Sequence, residues 1–136
     1  MTQLGELRDI EPQLLDLGYR IVAVSADRPS RLRRSLDKQS LHYALYSDSA
    51  LVASRAFGLA WKLDDAMVKR YKDWGLDLEE ASGLQHHALP VPAVFLLDAE
   101  GTILFEYVNP RHQVRIPASI LLAAAREYAP GTEEKR

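Results

Sequence analysis

The stretch "LPVPAVFLLDAEGTILFEYV", Leu89 to Val108, leaves few choices for the chain around it. Two apolar, β-rich runs, "AVFLLD" and "TILFEYV", flank Ala99-Glu100-Gly101, a short loop with a glycine. That pattern predicts a β-hairpin. Pro90 and Pro92 stand at its mouth. Proline has no N–H to give a ladder, so Pro92 belongs at a strand start or a bulge. An X–Pro bond also adopts cis at modest cost, usually in a tight turn, which makes Val91–Pro92 a candidate cis peptide.

Helical and extended patterns alternate before the hairpin. Leu4, Leu7, Ile10, Leu14 and Leu17 fall on one face of a helix that Gly18 stops, with Pro12 kinking or restarting it. "YRIVAVSAD" predicts a strand over Arg20–Ser25 buried on both faces. A helix opened by Pro29 follows, then the strand "YALYSD", then a helix capped by Asp48 or Ser49 and ended by Gly58. "WKLDDAMVKRYKDWG" predicts a further helix with Asp64 as cap, and "LDLEEASGLQHHALP" predicts mostly loop. After the hairpin, "IPASILLAAAREYA" predicts a last amphipathic helix with Pro117 near its start. Strands alternating with helices argue an α/β class with a sheet covered on both faces. We expect one domain over residues 1–130 and a flexible tail over 131–136.

Composition excludes several kinds of function. A net charge of −2 gives neither nucleic acid nor a membrane surface a general attraction. No apolar run approaches the ~18 residues of a membrane span, and the N-terminus has no secretory pattern, so a cytoplasmic location is expected. The absence of any cysteine excludes disulfides, zinc-thiolate sites and thiol chemistry by this chain alone.

The residues that remain offer no assembled chemistry. Ser25, Ser47 and Ser82 lack a nucleophile-elbow signature, and the glycines form no phosphate loop. Adjacent His86 and His87 diverge on any regular element and lack metal-pair spacing; with His42 and His112 they read as exposed residues, and no metal or cofactor is expected. Arg28, Arg31, Arg33 and Arg34 read as a solvated helix face, with an anionic partner as the alternative. Asp64-Asp65 and Glu79-Glu80 read as caps and solvated charges, and Phe57, Trp61, Tyr71 and Trp74 as core.

The order of elements, with "QLGELRDIEPQLLDLGYRIVAVSAD", "LYSDSALVASRAFGLAWKL" and above all "LPVPAVFLLDAEGTI", resembles the peroxiredoxin-like proteins of the alkyl hydroperoxide reductase/thiol-specific antioxidant group. The resemblance covers nearly the whole chain. It implies a thioredoxin-like sheet flanked by helices, N-terminally truncated, with the first strands absent and the cysteine positions preceding Met1. It implies that Pro92 is a cis proline shaping the wall of a thiol site, with Val91 facing the substrate side and Thr2 nearby. Arg111 and Arg115 match no family position and read as surface salt-bridging residues. The family activity is thiol-dependent peroxide reduction, using a thiol reductant in a complete form. This chain is expected to be inactive in it.

The resemblance also places the absent strand between the Ile21–Ser25 and Ala93–Leu97 strands. Unsatisfied backbone groups cost about 1–3 kcal/mol each when buried. The two neighbours closing together, self-association through exposed sheet edges, or an earlier start in the natural protein would each relieve this. The third is favoured for the natural protein, and association or strand rearrangement for this chain. A non-enzymatic protein-binding module on the same scaffold stays open as the alternative function.

Overall fold

The computed structural model describes residues 3–111 and 114–129. In chain order these form α1 (Gln3–Asp16), β1 (Val22–Ser25), α2 (Pro29–Gln39), β2 (Ala44–Ser47), α3 (Val52–Ala56), β3 (Ala60–Lys62), α4 (Asp65–Asp73), α5 (Leu78–Ser82), β4 (Ala88–Pro90), β5 (Ala93–Leu97), β6 (Ile103–Val108) and α6 (Ala118–Glu127). The described strands form three two-stranded sheets, β1–β2, β3–β4 and β5–β6. The chain divides into two compact units: Met1–Ile21 with Leu41–Tyr43 and Pro92–Arg136, and Val22–Ser40 with Ala44–Val91.

The first unit is organised by the hairpin. β5 and β6 are antiparallel, with Val94 opposite Tyr107 and Leu96 opposite Phe105. Opposed and alternate residues share a sheet face. That face joins Leu14, Ile116, Leu121, Leu122 and Ala125 in one apolar cluster with Leu7, Ile10 and Leu17. The turn is a three-residue loop in which the Asp98 carboxylate accepts from Glu100 and Thr102 N–H, each at 2.9 Å. Gly101 supplies the left-handed residue (φ 89°) that such a loop requires.

α1 runs through Pro12 as one helix rather than restarting there. An interior proline costs about 3 kcal/mol. Burying Leu14 returns roughly 1.5–3 kcal/mol, and the partly buried Leu7, Ile10 and Leu17 add to it, so packing on the cluster offsets the proline. Gly18 (φ 92°) then ends the helix as the spacing predicts. Two tyrosine hydroxyls tie the unit together: Tyr19 donates to Ala125 O at 2.9 Å and Tyr43 donates to Leu4 O at 2.8 Å.

In the second unit β1 and β2 are parallel, Val22 beside Ala44 and Val24 beside Tyr46. α2 starts at Pro29 as predicted and packs on β2. The expectation of a strand buried on both faces is not met: Val22, Val24 and Tyr46 are 51%, 53% and 59% exposed. Alternation sends both valines to one face, away from the half-buried Ala23 and Ser25.

The aromatic residues depart from expectation too. Phe57, Trp61 and Trp74 are all exposed. α4 buries none of its residues, and Tyr71 and Trp74 pack edge-to-face on each other, ring centres 5.7 Å apart. Their helical spacing marks a face of α4 that is at most half-buried, at Met67, Val68 and Tyr71. Asp64 caps α4, accepting from Met67 N–H at 2.8 Å, as predicted. β3, α5 and β4 occupy stretches that read as helix and loop. Elements of three to five residues are too short to show a period. Among the described residues no helix is long and apolar enough to cross a membrane.

Candidate functional site

Val91–Pro92 lies where the chain changes ladders. Antiparallel β3–β4 pairing sets Ala60 opposite Pro90 and Lys62 opposite Ala88. Val91 N–H extends it by donating to Leu59 O at 2.8 Å. Pro92 offers no N–H, and β5 begins one residue later against β6. The proline therefore stands at a strand start, as its chemistry requires. It is not cis: no peptide bond among the described residues is. Trans is ordinarily favoured by about 0.5–1 kcal/mol. The Val91–Leu59 bond holds the segment extended up to the proline, so no tight turn calls for the other isomer. Thr2, the third residue predicted for this site, lies outside the described residues.

The two adjacent histidines are half-buried rather than exposed. His86 Nδ1 accepts from Ala88 N–H at 3.1 Å, so its proton sits on Nε2, which donates to Ser49 O at 2.6 Å. His87 donates to Glu79 Oε1 at 2.7 Å and holds a left-handed backbone (φ 51°) while its carbonyl accepts from Leu63 N–H. Both side chains tie the chain ahead of β4 to other elements. His42 is exposed, and His112 lies outside the described residues.

The arginine group is only partly a solvated face. Glu80 accepts from Arg28 through one oxygen and from Arg31, at 3.3 Å, through the other, while Arg33 and Arg34 are exposed. Arg115 donates to Gln3 Oε1 at 3.1 Å, and Arg111 N–H donates to Asn109 Oδ1 at 2.9 Å.

No serine here is set up as a nucleophile. Ser25 Oγ accepts from Asp27 N–H, Ser47 Oγ donates to Asp27 O, and Ser82 Oγ donates to Leu78 O. Ser54 comes nearest, its hydroxyl donating to Asp48 Oδ2 at 2.8 Å, but that carboxylate is itself a structural acceptor. It also takes Ala53 N–H at 3.0 Å and Ser54 N–H at 2.8 Å, the first amides of α3. Burial pushes the Asp48 pKa up, and the bonds from Ser54, Ala53 and Val52 outweigh this and hold it below the ordinary carboxylate value. An acid held ionised in this way is a cap and a poor proton acceptor. Leu51, just before α3, is fully buried in a left-handed conformation (φ 60°), which no local sequence signal announces.

No group of three or more histidine, aspartate or glutamate side chains among the described residues is placed to hold a metal ion. The arrangement orders backbone and binds charge. Among the described residues, the His87–Glu79 and Ser54–Asp48 pairs stand apart, and neither is joined by a third group into a catalytic relay.

No curated protein matches the chain. A family profile does, over residues 1–106, and it carries with it a thioredoxin-like fold. That stretch contains both the leading helix and the Val91–Pro92 hairpin mouth on which the sequence resemblance rested, so the chain belongs to the AhpC/TSA family.

Proposed function

We propose that this chain is a redoxin-type scaffold that does not itself reduce peroxides. The carrying observation is the absence of cysteine from all 136 residues. Peroxide reduction in this chemistry needs a thiolate to attack oxygen. The Ser25, Ser47 and Ser82 hydroxyls are engaged with backbone groups, and the carboxylate beside Ser54 is itself occupied by the amides of α3. In this reading Val91 and Pro92 form one wall of the family's thiol site, for which this chain supplies no sulfur. A peroxide-consumption assay with thioredoxin or glutathione as reductant tests the proposal. No turnover above buffer is expected, and sustained turnover by this chain overturns it.

A second reading, a non-enzymatic binding module, is favoured by the bare face of Val22, Val24 and Tyr46. β1 pairs with β2 alone among the described residues, so its other edge lacks a partner strand that a second copy could supply. Sedimentation velocity of the chain and of Val24→Lys separates the cases. Self-association that the lysine abolishes supports the module, and a monomer at all concentrations removes it.

A further inference from the structure

One face of the β3–β4 ladder forms a depression that neither the fold nor the family reading uses. Alternate residues share a face, so Ala60 and Lys62 of β3 lie on one side with Ala88 and Pro90 of β4. Two of these are alanines, and the missing bulk leaves a hollow of about 410 Å³ lined by Arg55, Ala60, Trp61, Lys62, His86 and Ala88. The hollow is open to solvent, so a ligand there would be held by charge at its rim more than by enclosure.

The lining carries two cations and no carboxylate. Neither Arg55 nor Lys62 forms an ion pair among the described residues, although both are exposed. Arg55 is already oriented, because one of its nitrogens donates to Ala50 O at 3.0 Å. The planar guanidinium leaves its other donors in fixed positions, which suits a multi-oxygen anion. His86 is a rigid wall, since both ring nitrogens are engaged. Trp61 lines the hollow through its place on β3, between the two residues that face it.

We propose that this depression binds a small phosphate monoester, its phosphoryl oxygens held by Arg55 and Lys62 and its organic part lying along the alanine floor and the His86 ring. A dianion matches two unpaired cations where a neutral ligand would leave both unanswered. The proposal is independent of peroxide chemistry, so it stands or falls apart from the reading above.

The test uses the full chain carrying Trp74→Phe, which leaves Trp61 as the single indole of two. Phenyl phosphate is titrated while Trp61 fluorescence and binding heat are followed. Saturable one-to-one binding is expected. Lys62→Glu and Arg55→Glu should each weaken it about fivefold or more, the size of reversing an exposed ion pair. Arg33→Glu, which reverses an exposed charge of α2 outside this lining, should leave it unchanged. Circular dichroism establishes that each variant is folded. A non-saturating response, phenol binding as well as phenyl phosphate, or equal weakening by Arg33→Glu would each overturn the proposal.

Discussion

The two compact units are held together by different physics. In the first, α1, α6 and one face of the β5–β6 hairpin converge on a single apolar cluster, and Leu14, Ile116, Leu121 and Ala125 are all less than 5% exposed. In the second, the buried apolar residues, Leu32, Leu51, Leu63, Leu78 and Ala81, are scattered over several elements, and much of the order comes from caps and side-chain bonds. Asp48 holds α3, Asp64 holds α4, Asp77 holds α5, and Glu79 and Glu80 hold His87 and the arginines. Apolar burial is non-directional and large per residue, whereas each polar tie is geometrically specific and worth about 1 kcal/mol net. Core truncation should therefore injure the first unit most. The second should lose stability in small steps that respond to pH and salt.

The largest effect should follow from Leu121→Ala, which empties a site 3% exposed in the middle of the cluster. Such truncations cost about 2–5 kcal/mol. Urea unfolding checks this, with Trp74→Ala as the control. Trp74 is 68% exposed, and its loss should shift stability by about 0.5 kcal/mol or less. A Trp74 change rivalling Leu121 would mean that α4 is anchored by its aromatic pair, and the contrast between units would fail.

Next comes Asp48→Ala, which strips Ala53 and Ser54 N–H and the Ser54 hydroxyl of one shared acceptor. Losing a capping carboxylate costs about 1–2 kcal/mol. The sign of the pH dependence is fixed by the depressed pKa. The contribution is complete above the ordinary value of 3.8 and disappears as pH falls through the lower folded value. Acid unfolding of Asp48→Ala should lose that part of the pH dependence. An unchanged acid limb would remove Asp48 from the list of ties.

Tyr43→Phe tests a polar tie inside the apolar unit. It deletes the donor to Leu4 O and should cost about 1 kcal/mol. Burial, reinforced by Glu11 and partly offset by Arg8, pushes the Tyr43 hydroxyl from 10.0 up to about 12. The raised value gives a contribution that is complete below pH 10.0 and lost as pH rises through about 12. Wild type should lose stability across that alkaline window more steeply than Tyr43→Phe. Parallel alkaline curves would show that the hydroxyl ionises as freely as in an unfolded chain.

How much of this was readable from residues alone follows the same division. The hairpin, α1 with its Gly18 stop, and α6 all carry apolar spacing long enough to set a period, and the most specific part of the family resemblance lies at the hairpin. Asp48 and Asp64 were readable as caps because capping is local chemistry. β3, α5 and β4 were not, since each depends on a partner elsewhere: β3 and β4 exist only by pairing with each other. The exposure of Trp61 and Trp74 was equally hidden, because spacing says which face residues share and nothing about what lies beneath it. At the candidate site, Pro92 was correctly read as a strand opener. Its isomer was misread because the neighbouring Val91–Leu59 bond is a tertiary fact. The hollow beside Arg55 and Lys62 also required the fold, since His86 and Ala88 reach it only through the pairing of β4 with β3.

The smallest effect should come from Glu80→Gln, and its size sharpens the contrast most finely. Glu80 bridges Arg28 and Arg31, linking the start of α2 to α5, and its own side chain is 51% exposed. Exposed pairs contribute about 0.2–1 kcal/mol, so two pairs sharing one carboxylate should cost no more than about 1 kcal/mol together. Salt tests this tie directly. Moderate salt screens charges at the surface, so the wild type and Glu80→Gln should converge in stability as sodium chloride rises from low to about 1 M. Arg28 makes the outcome informative in either direction. Its Nε is buried without a hydrogen-bond partner, while its backbone N–H donates to Ala81 O at 2.7 Å. If the gap between wild type and Glu80→Gln persists at high salt, the guanidinium is held in a desolvated position where Glu80 acts as a buried counter-charge. The second unit would then contain a core of its own, built on charge where the first is built on leucine.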